Sequence, residues 1–315
     1  MPNSASPDGL RPGVVDRRRV IPADDPALAD VLATIGLGPG HHELDDPARI
    51  EQDRAALLKA GLTVGVVGDG TWSGEVLTPP RLALPGWFVT IHGGGYATGS
   101  VDTYRHRYAQ MAMLAECRVL NVEYRLAPAH AFPAALDDCV AAVAWAAERG
   151  PAVVGGDSAG AALAIATALV RRDHGDTLPA GIVALNPWVD LTCTLPSLVE
   201  RRARDPFSGW GAAKNQAEAY LAGTPATHPL ASPLYADFAG LPDMLIQIGT
   251  EDVLFDEAIG LADRAAAGGV RVRLEEWEGM FHKWHGYAGR LRGADEAIES
   301  IATFVRGRLG ADAGQ

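Results

Sequence analysis

Residues 152–160 read Ala-Val-Val-Gly-Gly-Asp-Ser-Ala-Gly, and an alanine-rich run follows to residue 170. A short β-branched segment that ends in glycines and passes at once into such a run predicts a strand, a sharp turn and a helix. The spacing Gly156-x-Ser158-x-Gly160 is typical of a nucleophile elbow, in which the turn presents the serine hydroxyl above a helix N-terminus. An ordinary glycine-rich turn is the alternative, and the rest of the chain has to decide between the two.

The bulk composition excludes several classes of protein. The chain has 315 residues, of which 48% are hydrophobic and 21% charged, as in a globular protein with a sizeable core. Its net charge of −12 argues against nucleic acid as a partner, because phosphate-backbone binding needs clustered Lys and Arg. Cys117, Cys139 and Cys193 have no metal-ligand spacing and are expected to be reduced thiols, so we predict no metal. We recognise no signal peptide and no membrane-spanning apolar run, which favours a cytoplasmic protein without a membrane partner.

Strands and helices alternate along most of the chain, which predicts an α/β fold with a mainly parallel central sheet and helices on both faces. Beside the strand and helix of the elbow, the predicted strands are 62–67, 72–77, 87–91, 118–124, 182–185, 244–248 and 270–277. The predicted helices are 26–35, 47–60, 103–116, 134–149, 257–267 and 288–309. In such sheets the ligand sites lie beyond the carboxyl ends of the strands.

A second glycine-rich segment directly follows the predicted strand 87–91. It reads His92-Gly93-Gly94-Gly95, and glycines allow backbone N–H groups to face a substrate oxygen. We predict an oxyanion hole formed by the N–H groups of Gly94, Gly95 and Ala159, with Gly93 in support. A phosphate-binding loop is the weaker interpretation, because no Lys-Ser or Lys-Thr follows the glycines.

A serine nucleophile needs a base and an acid that orients the base. Asp252 leaves the predicted strand 244–248 and is our predicted acid, with Glu251 and Asp256 as the alternatives. His282 follows the strand 270–277 and is the predicted base, with His285 as its competitor. The order serine, aspartate, histidine along the chain is that of the catalytic triad of α/β hydrolases.

The motifs together resemble those of the hormone-sensitive-lipase-like esterases, the bacterial family IV of α/β hydrolases. This resemblance extends from about residue 25 to the end of the chain. It implies an α/β-hydrolase fold with a helical cap, no cofactor, activity on short acyl esters and frequent dimers. The segments that carry it are His92-Gly93-Gly94-Gly95, Tyr124-Arg125-Leu126-Ala127-Pro128, Phe132-Pro133-Ala134, Gly156-Asp157-Ser158-Ala159-Gly160, Pro187-Trp188-Val189-Asp190-Leu191, Asp205-Pro206, Asp252-x-Leu254 and Gly279-Met280-x-His282.

Two residues depart from the family pattern. Ala129 stands where the family usually has Glu, and Asn186 stands where it usually has Ser. Both lie in structural segments, so we expect them to alter loop anchoring or the acyl pocket and to leave the triad unaffected. The predicted lining of that pocket is Tyr96, Trp188, Phe207 and Trp210, for which plain packing is the alternative.

The domain prediction places cap helices within residues 1–60 and the catalytic domain in residues 61–315, with 192–230 as a cap insertion. Residues 1 to about 22 are expected to be loosely ordered, with Arg17-Arg18-Arg19 as a solvated tail. The strand 270–277 alternates in places as an edge strand does, and we predict it as the contact surface of a homodimer.

The leading hypothesis is therefore a serine carboxylesterase whose partner is a small-molecule acyl ester. A lactonase, an amidase, an acyltransferase or a biosynthetic tailoring enzyme would use the same triad and remains open. A non-catalytic small-molecule receptor is a remote alternative, because the plant gibberellin receptors that resemble this family lack the histidine that is present here as His282.

Overall fold

The computed structural model describes residues 9–22, 25–35, 46–207 and 213–310. Nine strands form one sheet: β1 Val15–Val20, β2 Thr63–Gly68, β3 Ser73–Thr78, β4 Trp87–Ile91, β5 Arg118–Glu123, β6 Ala152–Asp157, β7 Gly181–Leu185, β8 Met244–Gly249 and β9 Val272–Trp277. The helices are α1 Ala27–Ile35, α2 Pro47–Lys59, α3 Val101–Ala115, α4 Ala134–Ala147, α5 Ala159–His174, α6 Ser197–Glu200, α7 Ala213–Leu221, α8 Phe255–Ala267 and α9 Arg292–Gly310.

The strand order is β1-β9-β8-β7-β6-β4-β5-β3-β2. All neighbours from β1 to β5 pair in parallel, whereas β3 pairs antiparallel with β5 and with β2. The elbow strand β6 therefore lies at the centre of the sheet, and the carboxyl ends of seven parallel strands share one edge. The prediction of a mainly parallel sheet is confirmed.

Helices cover both faces of the sheet. Successive residues of a strand point to opposite faces, so neighbouring residues of one strand belong to different cores. Val154 of β6 belongs to a core that contains the buried sides of α4, α5 and α8. Its neighbour Val153 belongs to a second core, which contains those of α3 and α9. The central strands are buried on both faces, as their continuous apolar runs predict.

The N-terminal segment corrects one prediction. Residues 15–20 were expected to be loosely ordered, but they form β1, which pairs in parallel with β9 from Val15–Val272 to Val20–Trp277. The arginines are not a free tail, because Arg17 pairs with Glu276 and Arg19 pairs with Glu278. The strand 270–277 is consequently an interior strand, and its proposed role as a dimer surface is wrong.

Three described segments lie outside the regular alternation of strands and helices. The helices α1 and α2 lie between β1 and β2 in the chain, and α2 packs on α3. The segment 192–207 contains α6, and α7 follows from residue 213. Within the described part of the chain, no helix has the length and apolarity needed to cross a membrane.

Candidate active site

Ser158 occupies the turn between β6 and α5. Its φ of 56° and ψ of −118° lie in a region that L residues rarely adopt. The turn fits because residues 156 and 160 are glycines. A Cβ on Gly156 would lie 2.3 Å from the Gly160 carbonyl carbon, and one on Gly160 would lie 2.1 Å from the Ile91 oxygen, and both distances are too short. The Ser158 N–H donates to the Leu185 oxygen at 2.8 Å, whereas the hydroxyl makes no capping bond to the helix. The hydroxyl is thus not used to cap α5.

Asp252 and His282 come together from two different loops. Asp252 follows β8, is fully buried and accepts from the Leu254 N–H at 2.8 Å through Oδ1. Its Oδ2 lies 3.0 Å from Nδ1 of His282, in the loop after β9. The loops approach this closely because residue 249 is glycine: a Cβ on Gly249 would lie 2.2 Å from the Met280 oxygen. This is the contact by which an acid orients an imidazole base.

The two alternative acids make other contacts. Glu251 pairs with Arg204 of the segment 192–207, Oε2 lying 3.2 Å from Nη1. Asp256 accepts from the Ser197 N–H at 2.9 Å and so holds the start of α6. Glu251 and Asp256 therefore hold the segment 192–207, whereas Asp252 faces the imidazole of His282.

The two histidines of the β9 loop have opposite electrostatic surroundings. Burial acts to lower the pKa of His282, but the Asp252 carboxylate, together with Asp205 and Asp157, outweighs burial and raises that pKa above 6.5. Burial lowers the pKa of His285 well below 6.5, and its Nε2 lies 2.8 Å from Gln247 Oε1. His282 has the properties of a base that takes up a proton, whereas His285 is a neutral imidazole packed against Trp284.

Asn186 contacts the predicted triad acid, so the expectation that this departure leaves the triad unaffected is wrong. Its Nδ2 donates to Asp252 Oδ2, the oxygen that also faces His282. Its own backbone N–H is held by the Gln247 oxygen at 2.9 Å. The contact exists because β7, which Asn186 follows, lies between the strands that carry Ser158 and Asp252.

The glycine loop after β4 packs directly against the nucleophile elbow. A Cβ on Gly93 would lie 2.7 Å from the Asp157 oxygen. Gly94 and Gly95 have φ values of 123° and 61°, which only glycine adopts without strain. Ala159 is the first residue of α5, where helix N–H groups have no intrahelical partner. The loop and the helix start therefore bring N–H groups of the kind that an oxyanion hole needs to one edge of the sheet.

A buried ion pair lies beneath the elbow. Asp157 Oδ2 is 3.2 Å from Nη1 of Arg107 and accepts from the Tyr104 hydroxyl at 2.9 Å. Burial acts to raise the pKa of Asp157, but Arg107 and other cations outweigh it and hold that pKa below its ordinary value. Sequence reasoning missed this pair, because only the packing of α3 on the sheet brings Arg107 to the elbow.

His92 supports the glycine loop as a neutral ring. Burial lowers its pKa to about 4. Its Nδ1 lies 2.8 Å from the Gly93 oxygen, and its ring stacks on Tyr124 with centres 4.2 Å apart. The Tyr124 hydroxyl donates to the His92 oxygen at 2.9 Å, so both sides of this residue are fixed.

The predicted pocket residues lie in two places. Tyr96 and Trp188 are buried with ring centres 5.7 Å apart, and Tyr96 stacks on Tyr220 of α7 at 3.7 Å. Phe207 borders the His282 ring, the centres being 6.5 Å apart. Trp210 lies outside the described residues.

Two further residues from the chain between β7 and β8 reach the site without having been predicted there. A Cβ on Gly95 would lie 2.5 Å from Oε1 of Gln216, so the amide of this α7 residue rests on the glycine loop. Asp205 accepts from the Val253 N–H at 3.1 Å, beside Asp252. Burial and the neighbouring Asp252 raise the pKa of Asp205 to about 7. The Asp205-Pro206 motif signalled a residue of the insertion here, but nothing in the sequence indicates that α7 packs on the glycine loop after β4.

Serine, imidazole and carboxylate at one sheet edge are the groups needed for nucleophilic acyl transfer. Within residues 9–22, 25–35, 46–207 and 213–310, no group of three or more His, Cys, Asp or Glu side chains is placed to hold a metal ion.

The fold and the site define an α/β hydrolase, and the family model described as "alpha/beta hydrolase fold" matches residues 88–286. An acetyl-hydrolase of Streptomyces hygroscopicus is 41% identical over 84% of this chain and 91% of its own length. A solved esterase of the bacterial hormone-sensitive lipase family is 36% identical, with a TM-score of 0.82 over 91% of this chain and 100% of the other. The esterase EstE5, soaked with p-nitrophenyl butyrate, has a TM-score of 0.81 and 32% identity over the same shares. This chain belongs to the α/β-hydrolase family, in its hormone-sensitive-lipase-like group of carboxylic ester hydrolases.

Proposed function

We propose that this protein is a serine carboxylesterase that hydrolyses short-chain acyl esters through Ser158, His282 and Asp252. The observation that carries the proposal is the 3.0 Å contact between His282 Nδ1 and Asp252 Oδ2, at the sheet edge where the strained turn holds Ser158. The relative soaked with p-nitrophenyl butyrate supports a short acyl group.

The reaction has two halves. In the first, Nε2 of His282 takes the Ser158 proton, the hydroxyl oxygen attacks the ester carbonyl, and His282 returns the proton to the leaving alcohol. Asp252 holds the ring and stabilises the imidazolium, while the N–H groups of Gly94, Gly95 and Ala159 bind the oxyanion. In the second half, water activated by His282 attacks the acyl-enzyme and releases the acid and the free serine.

The cap is proposed to consist of α1, α2 and residues 192–230, without β1, and to exclude water from the acyl-enzyme. Two contacts support this arrangement. Arg49 of α2 donates to the Gly286 oxygen at 3.2 Å, close to the His282 loop. The backbone carbonyl oxygen of Tyr220 in α7 accepts the Phe132 N–H at 2.8 Å. The cytoplasmic location and the homodimer remain predictions.

Substituting Ser158 by Ala tests the mechanism. We expect hydrolysis of p-nitrophenyl butyrate to fall by about 10⁴-fold or more, because nucleophile and base act as one unit. A fluorophosphonate should add one adduct mass to the wild type, on the peptide that contains Ser158, and none to the variant. Circular dichroism of the variant controls for folding. Unaltered turnover by Ser158→Ala would refute the mechanism.

The same preparation distinguishes the related reactions. We expect butyrate and acetate esters to be turned over faster than matched amides, since the amine of an amide is a poorer leaving group than an alcohol. An enzyme that prefers the amide or lactone would be an amidase or lactonase on the same triad. Labelling of Ser158 without turnover of any substrate would indicate a binding protein.

A further inference from the structure

A crevice lies beside the site, between α2, α3 and the loop that carries His282. The space in it that a water-sized molecule can occupy is about 40 Å³, which is enough for a small anionic group. Its described lining has five Arg and Lys side chains and two Asp side chains. This excess of positive charge is local, because the whole chain carries a net charge of −12.

Four of the five cations are already paired. The pairs are Arg49 with Asp53, Arg54 with Glu51, Arg105 with Glu75, and Arg107 with Asp157. The fifth is Lys283, whose Nζ lies 5.9 Å from the ring centre of Phe207. Among the described residues no carboxylate lies within ion-pair distance of this ammonium group. Lys283 therefore has charge available for a ligand.

The backbone of Lys283 is also unusual. Its φ of 64° lies in the left-handed region, which is disfavoured for a residue with a side chain. Strained conformations of this kind persist where the surrounding structure imposes them, and they cluster at ligand sites. Here the strain accompanies a half-buried cation that directly follows His282.

The chemistry identifies which part of a substrate meets Lys283. In acyl transfer the imidazole returns its proton to the leaving oxygen, so the alcohol portion of the ester lies on the histidine side. Phe207 borders the His282 ring at 6.5 Å and also lines the crevice. The crevice therefore extends from the leaving-group side of the site.

We propose that Lys283 and this crevice form a subsite for an anionic group, a carboxylate or a phosphate, on the alcohol portion of the substrate. The inference rests on the proposed function. It narrows the substrate class to acyl esters whose alcohol or phenol portion carries a carboxylate or a phosphate. A lysine ammonium is a compact point charge that binds either anion without demanding a planar partner.

The test compares kcat/KM for 4-acetoxybenzoate with that for its neutral methyl ester. We expect Lys283→Gln to lower the ratio of charged to neutral ester about 10-fold, Lys283→Arg to retain it, and Lys283→Glu to lower it further. The matched control is Lys59→Gln, which removes an exposed lysine at the end of α2 outside the crevice lining. Added salt should reduce the ratio in the wild type and leave it nearly constant in Lys283→Gln.

Three further substrates and one binding measurement separate the outcomes. 4-Acetoxyphenyl phosphate, compared with the uncharged 4-acetoxyphenol, distinguishes a preference for phosphate from one for carboxylate. Mono-4-nitrophenyl succinate places the negative charge on the acyl portion of the ester. A ratio that Lys283→Gln leaves unchanged, or a loss confined to the succinate, would overturn the proposal. Should the wild type hydrolyse no ester, the proposed function fails. Calorimetric binding of 4-hydroxybenzoate, with and without Lys283→Gln, then decides the subsite by itself.

Discussion

At the scale of single residues, the carboxyl edge of the sheet concentrates backbone strain. Tyr96, Ser158, Asn186 and Lys283 all have positive φ, and they follow β4, β6, β7 and β9. Each such conformation costs about 1–3 kcal/mol, which packing elsewhere has to offset. The gain is that four side chains from separate strands are held in fixed directions above one edge.

The pH dependence of hydrolysis follows from the environment of His282. The base must be neutral to accept the Ser158 proton, and its pKa is raised above 6.5. We therefore expect kcat/KM for a neutral ester to rise with pH, with a midpoint above 6.5. The raised pKa also means that the protonated ring favours the folded state below about pH 6.5, and this contribution is lost as the pH rises through the folded-state pKa.

A rate profile at constant ionic strength checks this expectation. Asp205 also titrates in the range, since its pKa is raised to about 7, so Asp205→Asn is the control. The rising limb should persist in that variant if it reports His282. A limb that disappears in Asp205→Asn, or a wild-type midpoint below 6.5, would assign the titration to another group.

The sequence alone was enough to select the candidate residues whose choice depends on order along the chain. Ser158, Asp252 and His282 were selected because each follows a predicted strand in the order of the triad. Asn186 and Arg107 were misjudged or missed, since their contacts depend on which strands are neighbours and on how α3 faces the sheet. The same limit applies to Gln216, because the apolar spacing of Ala213, Ala217 and Tyr220 marks the buried side of α7 without showing that this side meets the glycine loop.

At the scale of elements, continuous apolar runs made the central strands predictable to within about two residues. β4 was predicted with the bounds that the structure has, Trp87–Ile91. β1 was not predicted, because its sequence Val-Asp-Arg-Arg-Arg-Val has neither the alternation nor the apolar content of a strand. It is stabilised by a partner far along the chain, through parallel pairing with β9 and ion pairs to Glu276 and Glu278.

The edge strand β1 has a testable effect on assembly. Its three arginines are largely exposed, and charged edge strands resist pairing with other chains. Removing residues 1–21 would uncover β9, whose Val272 and Leu274 are buried. We expect the truncated protein to self-associate, seen as a larger mass by light scattering after gel filtration.

The control for this truncation is the double substitution Arg17→Gln and Arg19→Gln. It removes the ion pairs and keeps the strand in place, so its mass should equal that of the full chain. Exposed ion pairs contribute little to stability, and the double variant is therefore expected to fold. Equal masses for the truncated and full-length proteins would show that β1 does not shield the sheet edge.

At the scale of the whole molecule, the buried carboxylate of Asp205 links the segment 192–207 to the loop that carries Asp252. Asp205 accepts the Phe207 N–H at 3.0 Å within its own turn and the Val253 N–H at 3.1 Å beside Asp252. A buried N–H that loses its acceptor costs about 1–3 kcal/mol. Loss of this side chain is therefore expected to loosen the cap and to disturb the orientation of His282 together.

Limited proteolysis and kinetics of Asp205→Ala test this coupling. Trypsin should cut faster after Arg201, Arg202 and Arg204, while kcat falls about 10-fold or more because Asp252 loses its fixed neighbour. The matched control is Asp237→Ala at an exposed site. Asp237 Oδ1 accepts the Ala239 N–H at 2.9 Å in a similar turn, and the substitution removes that bond. Faster cleavage with full kcat would mean that the cap and the triad loop are held independently, and a lower kcat without faster cleavage would place the whole effect of Asp205 on Asp252.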